Sequence, residues 1–183
     1  MILPEKSDKI VITADTSALI SLSVGNILEF CLELFDIVIP TTVHEELKDI
    51  SGYKDEHAQA AISVLKLISE SKIKVLKIDE DKAILDIVGR NSKLDRGEVE
   101  TLFLAKTISS RMMITDDFRS LEGLKLHSGD VKIHLSIYPI ARLVVQGTIS
   151  KKKAEETLEK IADERSWEGA ALFRFAKKYI DEL

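Results

Sequence analysis

Residues 9–19, Lys-Ile-Val-Ile-Thr-Ala-Asp-Thr-Ser-Ala-Leu, decide the fold. Ile10, Val11, Ile12 and Thr13 are all β-branched, a composition that suits a buried strand better than a helix. The run ends in Asp15-Thr16-Ser17, and helical spacing begins immediately afterwards. A strand passing through an acidic, hydroxyl-bearing junction into a helix opens an α/β unit. In open sheets of this kind ligands bind outside the carboxyl ends of the strands. Asp15 therefore stands where a functional group is expected.

The same design recurs along the chain. Apolar, β-branched runs lie at 10–13, 36–39, 73–78 and 111–115, and a fifth short strand is expected at 131–135. Helical periodicity fills 17–34 (bent at Val24-Gly25-Asn26), 42–50, 55–71, 80–90, 96–109 and 117–122. Strands alternating with helices predict a three-layer α/β/α domain around a parallel sheet of four to five strands. The last third is purely helical. Ser136 is the expected cap of a helix ending at Gln146-Gly147, Ser150 of a second through Glu164, and Ser166 of a third from Trp167 to Tyr179. The division expected is a domain over 1–135 and a helical extension over 136–183 packed on it.

A chain of 183 residues supports one sizeable core rather than two. Its 45% hydrophobic and 31% charged content is that of an ordinary globular protein. No uninterrupted apolar run approaches the ~18 residues of a membrane span, and no signal-peptide pattern opens the chain. Cys31 is the single cysteine, which excludes an internal disulfide and a multi-cysteine zinc site and points to a reducing cytoplasm. The net charge of −5 argues against gripping nucleic acid by bulk electrostatics. It leaves open a nuclease whose acids are partly neutralised by bound metal.

Acids stand at four junctions leading into helices: Asp15, Glu46, Glu98 and the Asp116-Asp117 pair. Asp15 suits an N-cap and a metal ligand equally, because both roles need the same position. Thr42-x-x-Glu45 fits a capping box, which makes Glu45 structural. Glu46 instead borders the stripe of Val43, Leu47 and Ile50, where a carboxylate is costly unless paired or coordinated. Asp95-x-x-Glu98 also fits a capping box, yet Glu98 shares a helical face with Leu102 and Ala105, while Glu100 points to the far side. Thr115-Asp116-Asp117 follows a strand that reads as buried, so one Asp is expected to be a ligand and the other to orient it. Two carboxylates about 4 Å apart repel by roughly 4 kcal/mol at an effective dielectric near 20. Convergence of these acids needs relief, and a hard divalent cation such as Mg²⁺ or Mn²⁺ is the simplest.

These motifs resemble those of PIN domains, a nuclease fold found in VapBC-type toxins and in RNA-processing enzymes. The resemblance runs from about residue 10 to about residue 135. Asp15-Thr16-Ser17 matches the family's acid after the first strand, and Val43-x-x-Glu46-Leu47 matches its second motif. Gly97-Glu98, opening the helix Val-Glu-Thr-Leu-Phe-Leu-Ala, resembles the third, where many members carry Asp. Thr115-Asp116-Asp117 matches the fourth, Thr-x-Asp, with Asp117 as the counterpart and Asp116 as a helper.

The resemblance implies a metal-dependent endoribonuclease acting on single-stranded RNA. Asp15, Glu46, Glu98 and Asp117 would hold Mg²⁺ or Mn²⁺, and Thr115 and Asp116 would orient ligands or water. Arg96, Arg119 and Lys93 are the expected phosphate contacts. It also implies an antitoxin-like protein partner and a homodimer as possible assemblies. Two rival readings stand beside it. One is an inactive PIN-like module that binds RNA or a protein. The other is a phosphoryl-transfer or receiver-like protein, against which Asp15-Thr16-Ser17 lacks the second Asp of an Asp-x-Asp nucleophile motif.

Overall fold

The structure, a computed structural model, describes residues 9–79, 82–165 and 171–183. In chain order the elements are β1 (Ile10–Ala14), α1 (Thr16–Val24), α2 (Leu28–Leu34), β2 (Phe35–Pro40), α3 (Thr41–Ser51) and α4 (Glu56–Ser69). There follow β3 (Lys74–Leu76), α5 (Lys82–Arg90), α6 (Arg96–Thr107), β4 (Met112–Ile114), α7 (Leu121–His127) and β5 (Lys132–His134). The chain ends in α8 (Ile137–Val145), α9 (Lys151–Glu164) and α10 (Ala171–Asp181). The expected cap at Ser166 lies outside the described residues.

The five strands form one parallel sheet in the order β3-β2-β1-β4-β5. Its register sets Ile12 opposite Ile37 on one side of β1 and Thr13 opposite Met113 on the other. The sheet grows from β1 outward to β3 and then restarts at β4 on the opposite flank. The reversal falls between β1 and β4, and such a switch point opens a crevice at the strands' carboxyl ends. Asp15 leaves β1 and Asp116-Asp117 leave β4 at this crevice.

Helices cover both faces, because a fully parallel sheet must be buried on each. Ile12, Ile37, Ile39 and Ile114 pack with α1–α4 and with Ile140, Leu143, Leu158, Ile161 and Ile180 of the last three helices. The C-terminal helices thus share the main core. Met113 faces the other layer, with Ile84, Leu102 and Leu124 of α5, α6 and α7.

The expected helix over 17–34 is two helices bent by 112°. Asn26 turns the chain with φ 53°, a left-handed conformation to which Asn is suited. Gly25 lets α9 press close: a β-carbon there would fall 2.9 Å from Thr157 Cγ2 and 3.0 Å from Ile161 Cδ1. Among the described residues no single helix is long and apolar enough to cross a membrane.

Two local expectations need correction. The helix expected over 117–122 starts only at Leu121, because Asp117 Oδ1 accepts from Arg119 N at 2.8 Å and its carbonyl accepts from Ser120 Oγ. These bonds hold residues 117–120 in a turn, as Asp side chains do in competition with a helix. The capping box expected at Thr42 is absent too. α3 begins at Thr41 behind Pro40 with no side-chain cap, and Thr42 donates its hydroxyl across to Glu100 of α6.

Candidate active site

The crevice between β1 and β4 is a cleft of about 450 Å³ whose lining includes Asp15, Glu46, Asp55, Asp95, Glu98 and Asp117. Each carboxylate is placed by a local rule of chain geometry. Asp15 caps α1: its Oδ1 accepts from Ala18 N at 2.9 Å and from Ser17 Oγ at 2.8 Å. Its Oδ2 accepts from Thr115 Oγ1 at 2.5 Å. Ser17 Oγ in turn accepts from Asp116 N at 2.8 Å. The two strand ends flanking the switch point are therefore laced together through Asp15 itself.

Glu46 projects from the second turn of α3 beside the buried Val43 and Leu47, and accepts from the Thr16 hydroxyl. Its carboxylate lies over the start of α6, where residue 97 is glycine. A β-carbon at 97 would collide with Glu46 Oε1 and would sit 3.0 Å from Cδ and 3.1 Å from Oε2. Gly97 thus leaves the space in which Glu46 stands.

Glu98 belongs to a complete capping box. Glu98 N donates to Asp95 Oδ1 at 2.8 Å and Asp95 N donates to Glu98 Oε2 at 3.0 Å. The carboxylate is 3% exposed all the same and lines the cleft. Glu100, on another side of α6, is buried as well, accepting from Thr42 and from Arg96 Nε at 2.6 Å. Asp117 meets Arg119 in a two-pronged pair, Nη2 to Oδ2 at 2.7 Å and Nε to Oδ1 at 3.2 Å.

The electrostatics of this lining are unbalanced. Burial pushes the Asp15 carboxyl up to about 7, against the lowering effect of Thr115, Ala18 and Ser17. Glu98 is likewise pushed up to about 7, chiefly by burial, with the charges of Asp95 and Asp15 adding to it. Glu46 is raised by burial and by Asp95, Glu100 and Asp49. Asp117 alone is lowered, by its pairing with Arg119. Asp15 and Glu98 thus hold protons near neutrality, a perturbation of the kind that gathers at functional sites.

The predicted residues separate on this geometry. Asp15, Glu46, Glu98 and Asp117 meet at one cleft, although they come from four segments. Thr115 stands behind Asp15 as its hydrogen-bond donor. Asp116 does not line the cleft: it is buried, and its Oδ1 accepts from Ser136 N at 2.9 Å just ahead of α8. It ties the C-terminal helices to β4. Of the expected phosphate contacts, Arg96 and Arg119 are engaged with Glu100 and Asp117. Asp95, Tyr53, His57 and Arg165 also line the cleft. Asp95 is visible in sequence as the cap of α6, whereas no local pattern marks the other three.

Oxygen-only donors suit Mg²⁺ or Mn²⁺ rather than zinc or copper. Among the described residues no group of three or more Asp, Glu, His or Cys side chains is placed so that it could hold a metal ion. Mg²⁺ does not need such a group, since it keeps several waters and is commonly held by one or two carboxylates. The donor set fits a hydrated hard cation, which would replace the protons held by Asp15 and Glu98.

A parallel sheet covered by helices on both faces, with an acidic cleft at its switch point, is a three-layer α/β/α fold. The family model DUF3368, described as a PIN domain, matches residues 10–182, and the chain belongs to the PIN-domain family. The match takes in the C-terminal helices, beyond the motif resemblance ending near residue 135. PIN domains are generally nucleases and typically use divalent metals. No curated protein matches the chain with significant similarity.

Proposed function

We propose that the protein is a metal-dependent endoribonuclease that hydrolyses phosphodiester bonds of single-stranded RNA. The observation that carries this reading is the meeting of Asp15, Glu46, Glu98 and Asp117 in one cleft, with two of the four held protonated near neutrality by burial. Asp15, Glu46, Glu98 and Asp117 are the proposed holders of Mg²⁺ or Mn²⁺. Such an ion supplies an activated water at neutral pH and charge stabilisation on the phosphoryl oxygens.

The chain's own groups do the positioning. Thr115, Ser17 and the Ala18 amide fix the Asp15 carboxylate, leaving further lone pairs for the cleft. Thr16 orients Glu46, and the Asp95 amide orients Glu98. Arg119 holds Asp117 ionised. Near-attack placement of this kind is what a hydrolytic site must provide.

The test is cleavage of end-labelled single-stranded RNA with Mg²⁺, Mn²⁺ or EDTA, using Asp15→Asn as control. Metal-dependent cleavage lost in the variant is expected. RNA binding without turnover under either ion would refute the nuclease and leave a binding module.

A further inference from the structure

The cleft lining carries a second chemistry beside the acids. Opposed in character to the acids are Ile20, Ile50, Tyr53 and Arg165, all lining the same space. Tyr53 lies in the turn between α3 and α4 and is 69% exposed. Arg165 caps the C-terminal end of α9, so the helical extension delivers a guanidinium to a cleft built by the sheet. Metal ligation has no use for an exposed aromatic ring in the lining. A nucleobase does, because stacking on an aromatic side chain is insensitive to sequence.

Charge makes the same demand. A phosphodiester entering a cleft lined by six acids, Asp15, Glu46, Asp55, Asp95, Glu98 and Asp117, on a chain of net charge −5 is repelled. Arg119 and Arg96 are paired with Asp117 and Glu100. Among the described residues, Arg165 is the guanidinium that lines the cleft; it is half-buried and lies within electrostatic reach of the buried Asp116, which does not line the cleft. Asp55, also in the lining, has its Oδ1 bound to the Ala58 amide as the cap of α4. We propose that single-stranded RNA crosses the α3–α4 turn into the cleft, stacking one base on Tyr53 and placing a neighbouring phosphate on Arg165. The proposal rests on the nuclease reading and names the strand path for that same site.

Fluorescence anisotropy of a 5′-labelled single-stranded RNA tests it, in an Asp15→Asn background with Mg²⁺ so that turnover is removed. Wild-type cleavage is assayed in parallel. Tyr53→Ala is expected to weaken binding roughly tenfold, and Tyr53→Phe to restore it. Arg165→Gln is expected to weaken binding and flatten the dependence of log affinity on log salt by about 0.7, with Arg165→Lys keeping the slope. A role of Arg165 as a merely structural charge would lower thermal stability without changing that slope. Unchanged affinity in both Tyr53→Ala and Arg165→Gln, or no RNA binding by the parent, overturns the path. If the wild type cleaves while these variants bind normally, the nuclease stands and the path falls. If binding depends on Arg165 but the wild type never cleaves, the path stands and the nuclease falls.

Discussion

Gly97→Ala separates the site from the fold more sharply than removal of any acid. Gly97 is the second residue of α6, and the three heavy atoms nearest to a β-carbon there all belong to the Glu46 carboxylate. That carboxylate is the far end of a flexible side chain, so it yields by rotating away from Thr16. The helix gains about 0.5–1 kcal/mol from replacing glycine by alanine. A hydrogen bond to a charged group, here Thr16 to Glu46, is worth about 1.5–3 kcal/mol, but a half-exposed carboxylate recovers much of it from water. The two effects nearly cancel. We expect a Tm change within about 4 °C for a chain of this size. Activity responds differently, since a misplacement of about 1 Å at a catalytic centre costs on the order of 100-fold. Calorimetry and RNA cleavage at saturating Mn²⁺ measure the two quantities. A double-mutant cycle adds the mechanism: in a Glu46→Ala background Gly97→Ala should cost nothing further. Cleavage by Gly97→Ala within about threefold of wild type, or losses that simply add, would refute the reasoning.

Protons should compete with metal. Two carboxyls near 7 weaken apparent metal affinity about 100-fold at pH 6 relative to pH 8, which Mn²⁺ titrations followed by thermal shift would measure. Asp15 and Glu98 have folded pKa values above their ordinary 3.8 and 4.5. Their contribution to metal-free stability is therefore complete below about pH 4 and lost as pH rises to about 7. In EDTA, the Tm of wild type relative to Asp15→Asn should fall across that window. Thr115→Val removes the strongest influence lowering the Asp15 carboxyl, so metal binding should shift to higher pH, seen as a displaced midpoint in the same titration. Asp116→Ala leaves the buried Ser136 amide unpaired and should cost about 1–3 kcal/mol by urea unfolding. Asp117→Asn should instead lower cleavage, with a stability change under about 1 kcal/mol because its partner Arg119 is largely exposed.

What could be read from the chain was whatever depends on neighbours in sequence. β-branched runs located the five described strands, because a parallel sheet forces apolar strands, and helical spacing located most of the helices, though 17–34 is two of them and 117–120 is a turn. The spacing of Val43 and Leu47 selected Glu46 over Glu45, and the cleft contains Glu46. Hidden features depend on which elements meet. Thr42 matched a capping pattern, but the proximity of α3 to α6 offered its hydroxyl the Glu100 carboxylate. Gly97 looked like part of a motif, and its role requires knowing that Glu46 lies over α6. Arg165 reaches the cleft only because α9 packs on α1 across Gly25.

Capping and catalysis are not rival roles for Asp15 and Glu98, because the geometry of the site requires both of the same side chains. A cap carboxylate is fixed by backbone N–H groups at the amino end of a helix, with its rotamer settled by the fold. α1 starts where β1 ends and α6 follows α5 rather than a strand, yet the Asp15 cap and the Asp95–Glu98 capping box line the same crevice. Asp15 and Glu98 are there because α1 and α6 begin there. Burial then denies them water and raises their affinity for protons, or for a cation in place of protons. If this is right, replacing Glu98 by Gln should preserve most of the cap, since an amide oxygen still accepts from the Asp95 amide. Thermal stability should stay within a few degrees of wild type, while Mn²⁺-induced stabilisation and RNA cleavage are lost. A Glu98→Gln protein that unfolds like a capless helix but still cleaves RNA would show that Glu98 is a cap and nothing more.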